Sequence, residues 1–215
     1  APPARFGLSV VDQMTGLALA YALTAGIIGA RKTGIGQDMD VSLFDIAMAN
    51  TAYPAIWYLN EGHVQERVER SAHPVLCPCQ LYKTEDNWIY LMCNKEKFWP
   101  VLCKVLGQDK WIEDKRFENF SGRDKHRGLI QEMLDDVLST KKTKTWLESF
   151  AGKVPAAPVN NLKEALDNPF MQQSSRIQEL ELDGYGKYRM LNSPIKCGEE
   201  ETPARPAPKM GANTA

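Results

Sequence analysis

Along residues 12–32 the apolar positions Leu17, Leu19, Tyr21, Leu23, Ile27 and Ile28 nearly encircle a helical axis, which predicts a helix buried on most sides. Thr33-Gly34-Ile35-Gly36 ends it, because glycine supplies a left-handed cap. Residues 38–42 alternate polar and apolar like a short strand. Ser42 then precedes Leu43, Phe44, Ile46, Ala47 and Ala49 at helical spacing. Residues 1–62 therefore read as one end of an α/β layer. Residues 63–78 are charged, carry two prolines and show no clean period, as a linker does.

A second unit is expected over residues 79–171. Two strand-like runs, residues 80–84 and 88–92, flank the turn formers Asp86-Asn87 and predict a hairpin. Three helices should follow, each with one apolar stripe: residues 95–106 with Phe98, Trp99, Leu102, Val105 and Leu106; residues 127–138 with Ile130, Met133, Leu134 and Val137; and residues 145–150 with Trp146, Leu147 and Phe150. Their spacing marks these aromatics as core. In residues 172–215 a hairpin is expected around Asp183-Gly-Tyr-Gly186, then a Pro- and Ala-rich tail with the acidic run Glu199-Glu200-Glu201, an extended return segment.

With 215 residues, 43% hydrophobic and 25% charged, the chain has the composition of a globular protein, and its net charge of -1 offers nothing to a phosphate backbone or an anionic membrane surface. Nucleic acid and membrane are not expected partners. The apolar run at residues 16–30 is shorter than the ~20 residues of a membrane span and is rich in Gly, Ala and Thr. No secretory signal is read in residues 1–11. The cysteines Cys77, Cys79, Cys93, Cys103 and Cys197 follow no disulfide or zinc spacing, so a reducing cytoplasm is expected. Cys77-Pro78-Cys79 is one residue short of a Cys-x-x-Cys pair, and the buried-filler reading is preferred. His63, His73 and His126 stand far apart, without carboxylates at ligand spacing. No metal site is expected.

By itself Asp12-Gln13-Met14-Thr15-Gly16 is an acidic residue at a helix entrance, where aspartate commonly serves as N-cap. Gly34-Ile35-Gly36 lacks the third glycine of a dinucleotide fingerprint. Taken in order, however, Asp12-x-x-Thr15-Gly16 and Arg31-x-Thr33-Gly34-x-Gly36-Gln37-x-Met39-Asp40-Val41-Ser42-Leu43-x-Asp45 resemble the family III coenzyme A transferases, the carnitine-type group. His73-Pro74, Leu106-Gly107, Asn192-Ser-Pro-Ile195 and Arg205-Pro-Ala-Pro208 continue that resemblance along the chain.

The resemblance implies an α/β fold in which part of a Rossmann-like large domain is joined by extended linkers to a small α+β domain. It also implies that this sequence is the latter half of a longer enzyme, working as an interlocked homodimer. Asp12 would be the nucleophile that attacks an acyl-CoA thioester to give an aspartyl anhydride and then an aspartyl-CoA thioester, with a free carboxylic acid as acceptor. Coenzyme A would be a substrate, with no tightly bound cofactor and no CoA-binding residue identified in this chain. Thr15 and Gly16 would leave room for the thioester; Gly34, Gly36 and Gln37 would shape the turn.

Two departures from the family pattern stand out, the first bearing on a formyl or oxalyl substrate and the second on the role of the family's glutamate. Residues 70–79 lack the glycine-rich loop of oxalate-using members, and Gly211-Ala-Asn-Thr214 replaces the usual Gly-Glu-His-Thr. A rival reading is a 2-methylacyl-CoA racemase; Glu96 falls near a glutamate such enzymes use, although Lys95 and Lys97 suggest a solvated helix start. A third reading is an inactive dimerisation module.

Overall fold

The computed structural model describes residues 6–173, 176–182, 184–195, 198, 205–212 and 214. Cys197, Asp183, Asn213 and the acidic run at 199–201 lie outside the described residues. The chain divides into two compact units, Ala1–Val68 and Glu69–Ala215.

The first unit is helical. Helix α1 spans Val10–Thr33, with Asp12 in its first turn and Arg31 and Lys32 in its last, the charge order that the helix dipole favours. Gly34 ends it at φ 75°, its N–H donating to the Ala30 carbonyl at 2.8 Å. The expectation of a helix buried on most sides is not met. No residue of α1 is buried, and Leu17 and Tyr21 are 68% and 79% exposed. The encircling pattern reports what the helix would bury, while only the described residues can cover it here, and they do not. The helix is also long and apolar enough to cross a membrane by length and composition, a test that core helices of soluble proteins pass as well.

The strand expected at residues 38–42 does not form: among the described residues this stretch pairs with no neighbour. Alternation makes a segment fit for a sheet, but a strand exists only where a second backbone accepts its hydrogen bonds. Helix α2, Leu43–Ala49, follows as expected, capped by Ser42, whose Oγ accepts from the Asp45 N–H at 3.0 Å and donates to its carboxylate at 2.6 Å. Helix α3, Ala52–Glu61, was not anticipated; Pro54 sits in its first turn, where a missing N–H costs nothing.

The second unit holds the core. Strands β1 (Cys79–Lys83) and β2 (Trp88–Met92) form the expected hairpin. Helices α4 (Phe98–Leu106), α5 (Lys110–Glu113), α6 (Phe120–Lys125), α7 (Arg127–Leu138) and α8 (Thr143–Phe150) follow. Strand β3 (Ala156–Pro158) then adds antiparallel to β2, giving the order β1-β2-β3. The apolar stripes meet as their spacing requires: Tyr82, Ile89 and Leu91 of the sheet pack in one cluster with Trp99 and Leu102 of α4, Ile130, Leu134 and Leu138 of α7, and Trp146 and Phe150 of α8. Each such side chain contributes roughly 1.5–3 kcal/mol by leaving water. Polar groups fasten the hairpin to α8, whose first residue Thr143 donates its N–H to Asp86 at 2.8 Å. That bond, with the Thr143 hydroxyl, holds the Asp86 carboxyl below the usual carboxylate range.

Helices α9 (Leu162–Leu166) and α10 (Pro169–Gln172) lead to the last expected hairpin, β4 (Ile177–Leu182) with β5 (Gly186–Leu191), in the register Leu180 opposite Tyr188. Residues 205–209 run on without helix or strand.

Candidate active site

Asp12 is the third residue of α1 and is exposed. It is not the N-cap. That place belongs to Ser9, whose side chain makes no capping hydrogen bond, so the first turn has N–H groups with no side-chain acceptor from the cap. Among the described residues the Asp12 carboxylate makes no hydrogen bond or ion pair. Such a carboxylate has its oxygens free to react. The positive end of a 24-residue helix favours negative charge that develops beside it.

The next turn leaves the flank open. A β-carbon on Gly16 would meet no atom within 4 Å. The Thr15 hydroxyl donates to the Val11 carbonyl at 2.8 Å, which turns it back along the helix. Gly34 serves the helix stop, and Gln37 lies in a groove of about 280 Å³ between the far half of α1 and the segment after it. That groove begins at Ala22, about 15 Å along the axis from Asp12 at the helical rise. Within it Met39 lies against Gly26, where a β-carbon would stand 2.5 Å from the Met39 Cε. The groove is thus built by small residues and Met39, and Asp12 is not part of it. A larger cavity, about 460 Å³, lies in the second unit on the apolar face of β4 and β5 beside Arg205 and Pro206.

Glu96 stands half exposed just before α4, as its lysine neighbours suggested, but it is not free in solvent. Its carboxylate accepts from the Phe120 N–H at 2.8 Å and pairs with Arg123, whose side chain is 1% exposed. Arg123 also donates to the carbonyls of Cys77 and Phe117, both at 2.8 Å, and lies over the rings of Phe120 and Trp99. This buried cation is thus met by three acceptors and two π faces. No sequence signal marked Arg123, because an arginine in the polar run of residues 121–127 reads as surface.

The remaining candidates are structural. Cys77, Cys79, Cys93 and Cys103 are buried free thiols, and burial pushes Cys77 up to about 11 and Cys103 to about 12. His73 Nδ1 accepts from the N–H groups of Val75 and Leu76, and His126 bonds the Gly122 carbonyl. Among the described residues no group of three or more His, Cys, Asp or Glu could hold a metal ion.

A sequence model described as CoA-transferase family III matches residues 1–214. Succinyl-CoA:glutarate CoA-transferase of Homo sapiens is 28% identical over 214 residues, covering 99% of this chain and 49% of that protein. An acyl-CoA transferase of Fusarium pseudograminearum is 27% identical, covering 99% of this chain and 47% of its own length. Formyl-CoA:oxalate CoA-transferase of Shigella sonnei is 25% identical, covering all of this chain and 57% of that protein. The chain spans about half the length of the curated relatives it matches. A CAIB/BAIF family protein of Brucella suis has a similar fold, with a TM-score of 0.72 and 26% identity over 94% of this chain and 52% of that one. A Mycobacterium tuberculosis protein gives a TM-score of 0.80 at 20% identity over 93% and 52%.

Proposed function

Because the chain belongs to CoA-transferase family III, we propose that it carries the nucleophile of an enzyme that moves coenzyme A between carboxylic acids. The observation that carries this reading is Asp12, an exposed carboxylate without a described partner in the first turn of α1, followed by an open turn at Gly16.

In this reading an Asp12 oxygen attacks the thioester carbonyl and the C–S bond breaks, leaving an acyl-aspartyl anhydride and coenzyme A thiolate. The thiolate attacks the aspartyl carbonyl, releasing the donor acid and leaving an aspartyl-CoA thioester. An acceptor carboxylate then attacks that carbonyl and expels the thiolate, and the thiolate takes the acceptor's acyl carbon and restores Asp12. Splitting one exchange between two carboxylates into covalent steps lowers each barrier. The helix N-terminus favours each oxyanion formed at the aspartyl carbonyl.

The relatives' names speak of succinate, glutarate, mesaconate and oxalate as donors or acceptors of those proteins, which makes dicarboxylic acids the first acceptors to try. We further propose a homodimer in the cytoplasm, with no tightly bound cofactor. The test is acyl exchange between succinyl-CoA and a panel of mono- and dicarboxylic acids, using the whole product of the gene that encodes this chain. Transfer to an acid, lost in Asp12→Asn, supports the proposal. Exchange of the substrate's α-hydrogen with deuterated water and no transfer would favour racemisation. Neither activity would leave a non-catalytic dimerisation module.

A further inference from the structure

Strands β4 and β5 form a two-stranded sheet of their own, separate from β1-β2-β3. Alternation sorts their side chains by face. Glu179 and Lys187, an ion pair at 2.7 Å, mark one face, and Glu181 and Arg189 share its phase. Leu180, Leu182, Tyr188 and Met190 have the opposite phase. The hairpin is thus amphipathic, and two strands alone are marginal in water unless the apolar face is covered.

That apolar face bounds the cavity of about 460 Å³, a volume within the ~300–1,000 Å³ of sites that hold small ligands. Leu180, Leu182 and Met190 are half-buried, while Tyr188 and Tyr185 are 51% and 88% exposed, so the cavity is open to a molecule from solvent. Its other wall is the strap Arg205-Pro206-Ala207. Pro206 and Pro208 fix their own φ angles, and a residue before a proline is held extended. The strap is therefore stiff and presents Arg205 with little backbone left to order on binding.

Charge and lining together select a class of ligand. Among the described residues that line the cavity Arg205 is the only charged one, and no described residue forms an ion pair with it. A planar guanidinium takes a carboxylate through two parallel hydrogen bonds. A single cation matches one carboxylate, whereas a polyphosphate calls for a cluster of cations or of backbone N–H groups. The leucines and Met190 offer hydrocarbon walls to whatever the carboxylate carries.

We propose that this cavity binds the free carboxylate of an unbranched alkyl chain, its head group on Arg205 and its chain against Leu180, Leu182 and Met190. The site is complete within the second unit, and the proposal holds whether or not Asp12 is a nucleophile.

The test is photolabelling of the whole gene product with dodecanoate that carries a diazirine near its tail, read by peptide mass spectrometry. Label should fall on peptides covering 177–191 and 205–210, and plain dodecanoate should displace it while dodecanol does not. Arg205→Gln should cut this label about tenfold and Arg205→Lys much less, since lysine keeps the charge. Label on peptides of α1, whose apolar residues are exposed, should be the same in Arg205→Gln as in the parent and serves as the internal reference. An unlabelled hairpin, its cavity filled by another part of the gene product or by a second copy, overturns the proposal. So does hairpin label that dodecanol displaces equally well or that survives Arg205→Gln. Stronger displacement by dodecanoyl-CoA than by dodecanoate overturns the choice of a free carboxylate.

Discussion

Two buried polar side chains show how a residue's environment sets its cost. The Tyr82 hydroxyl is buried and has no hydrogen-bond partner among the described residues. Burial also raises its pKa well above the phenol range. Deleting an unsatisfied hydroxyl removes a desolvation penalty, so Tyr82→Phe should leave stability unchanged or raise it by about 1 kcal/mol in urea unfolding. Glu96→Ala should do the opposite, at a cost of about 2 kcal/mol, because buried Arg123 loses its charged acceptor. The strand that carries Tyr82 was legible in the sequence, but not that its face with Gln80 and Thr84 is the buried one. The sequence could not show that Glu96 and Arg123 meet, since 27 residues separate them and nothing local marks the pair. Asp12 was legible only in its motif; as an isolated acid its place fits a cap, and the cap is in fact Ser9.

At the scale of elements, those with their own period and punctuation were readable. The hairpin of β1 and β2, the stripe of α7 and the glycine stop of α1 follow from spacing and turn chemistry over a few residues. Elements that depend on a distant partner were not. Residues 38–42 alternate and yet find no strand, and β3, three residues long, exists only because β2 offers an edge. Helix α3 was not read from the sequence; its Pro54 would break a helix interior but is harmless in the first turn.

The turn before β1 carries a pH dependence. His73 accepts two backbone N–H groups through Nδ1, and burial together with the Arg127 charge lowers its pKa below 6.5. The unfolded chain therefore binds this proton more readily than the folded one. The contribution is complete above 6.5 and is lost as pH falls through the lower folded-state value. Urea midpoints should fall between about pH 7 and pH 5, and His73→Asn, which keeps an acceptor oxygen, should flatten that fall. The thiols around this turn are shielded by the same packing. Cys77, Cys79, Cys93 and Cys103 should resist a disulfide reagent in the native chain and react on unfolding; rapid native labelling would contradict their burial.

For the whole molecule, the exposure of α1 is the feature that composition could not anticipate. A helix whose apolar residues encircle it was expected to be covered, and in this chain it is not. The family match explains why the sequence was nevertheless informative, because it spans residues 1–214 in a chain about half as long as its curated relatives. The central claim concerns Asp12. Incubating the whole gene product with its acyl-CoA and then with hydroxylamine, followed by peptide mass spectrometry, should place a hydroxamate on the peptide containing Asp12. Asp12→Asn should remove the adduct while changing stability by less than about 1 kcal/mol, since it loses no cap. An enzyme that transfers coenzyme A with no adduct at Asp12, or a folded Asp12→Asn protein that transfers at the parental rate, would contradict the account.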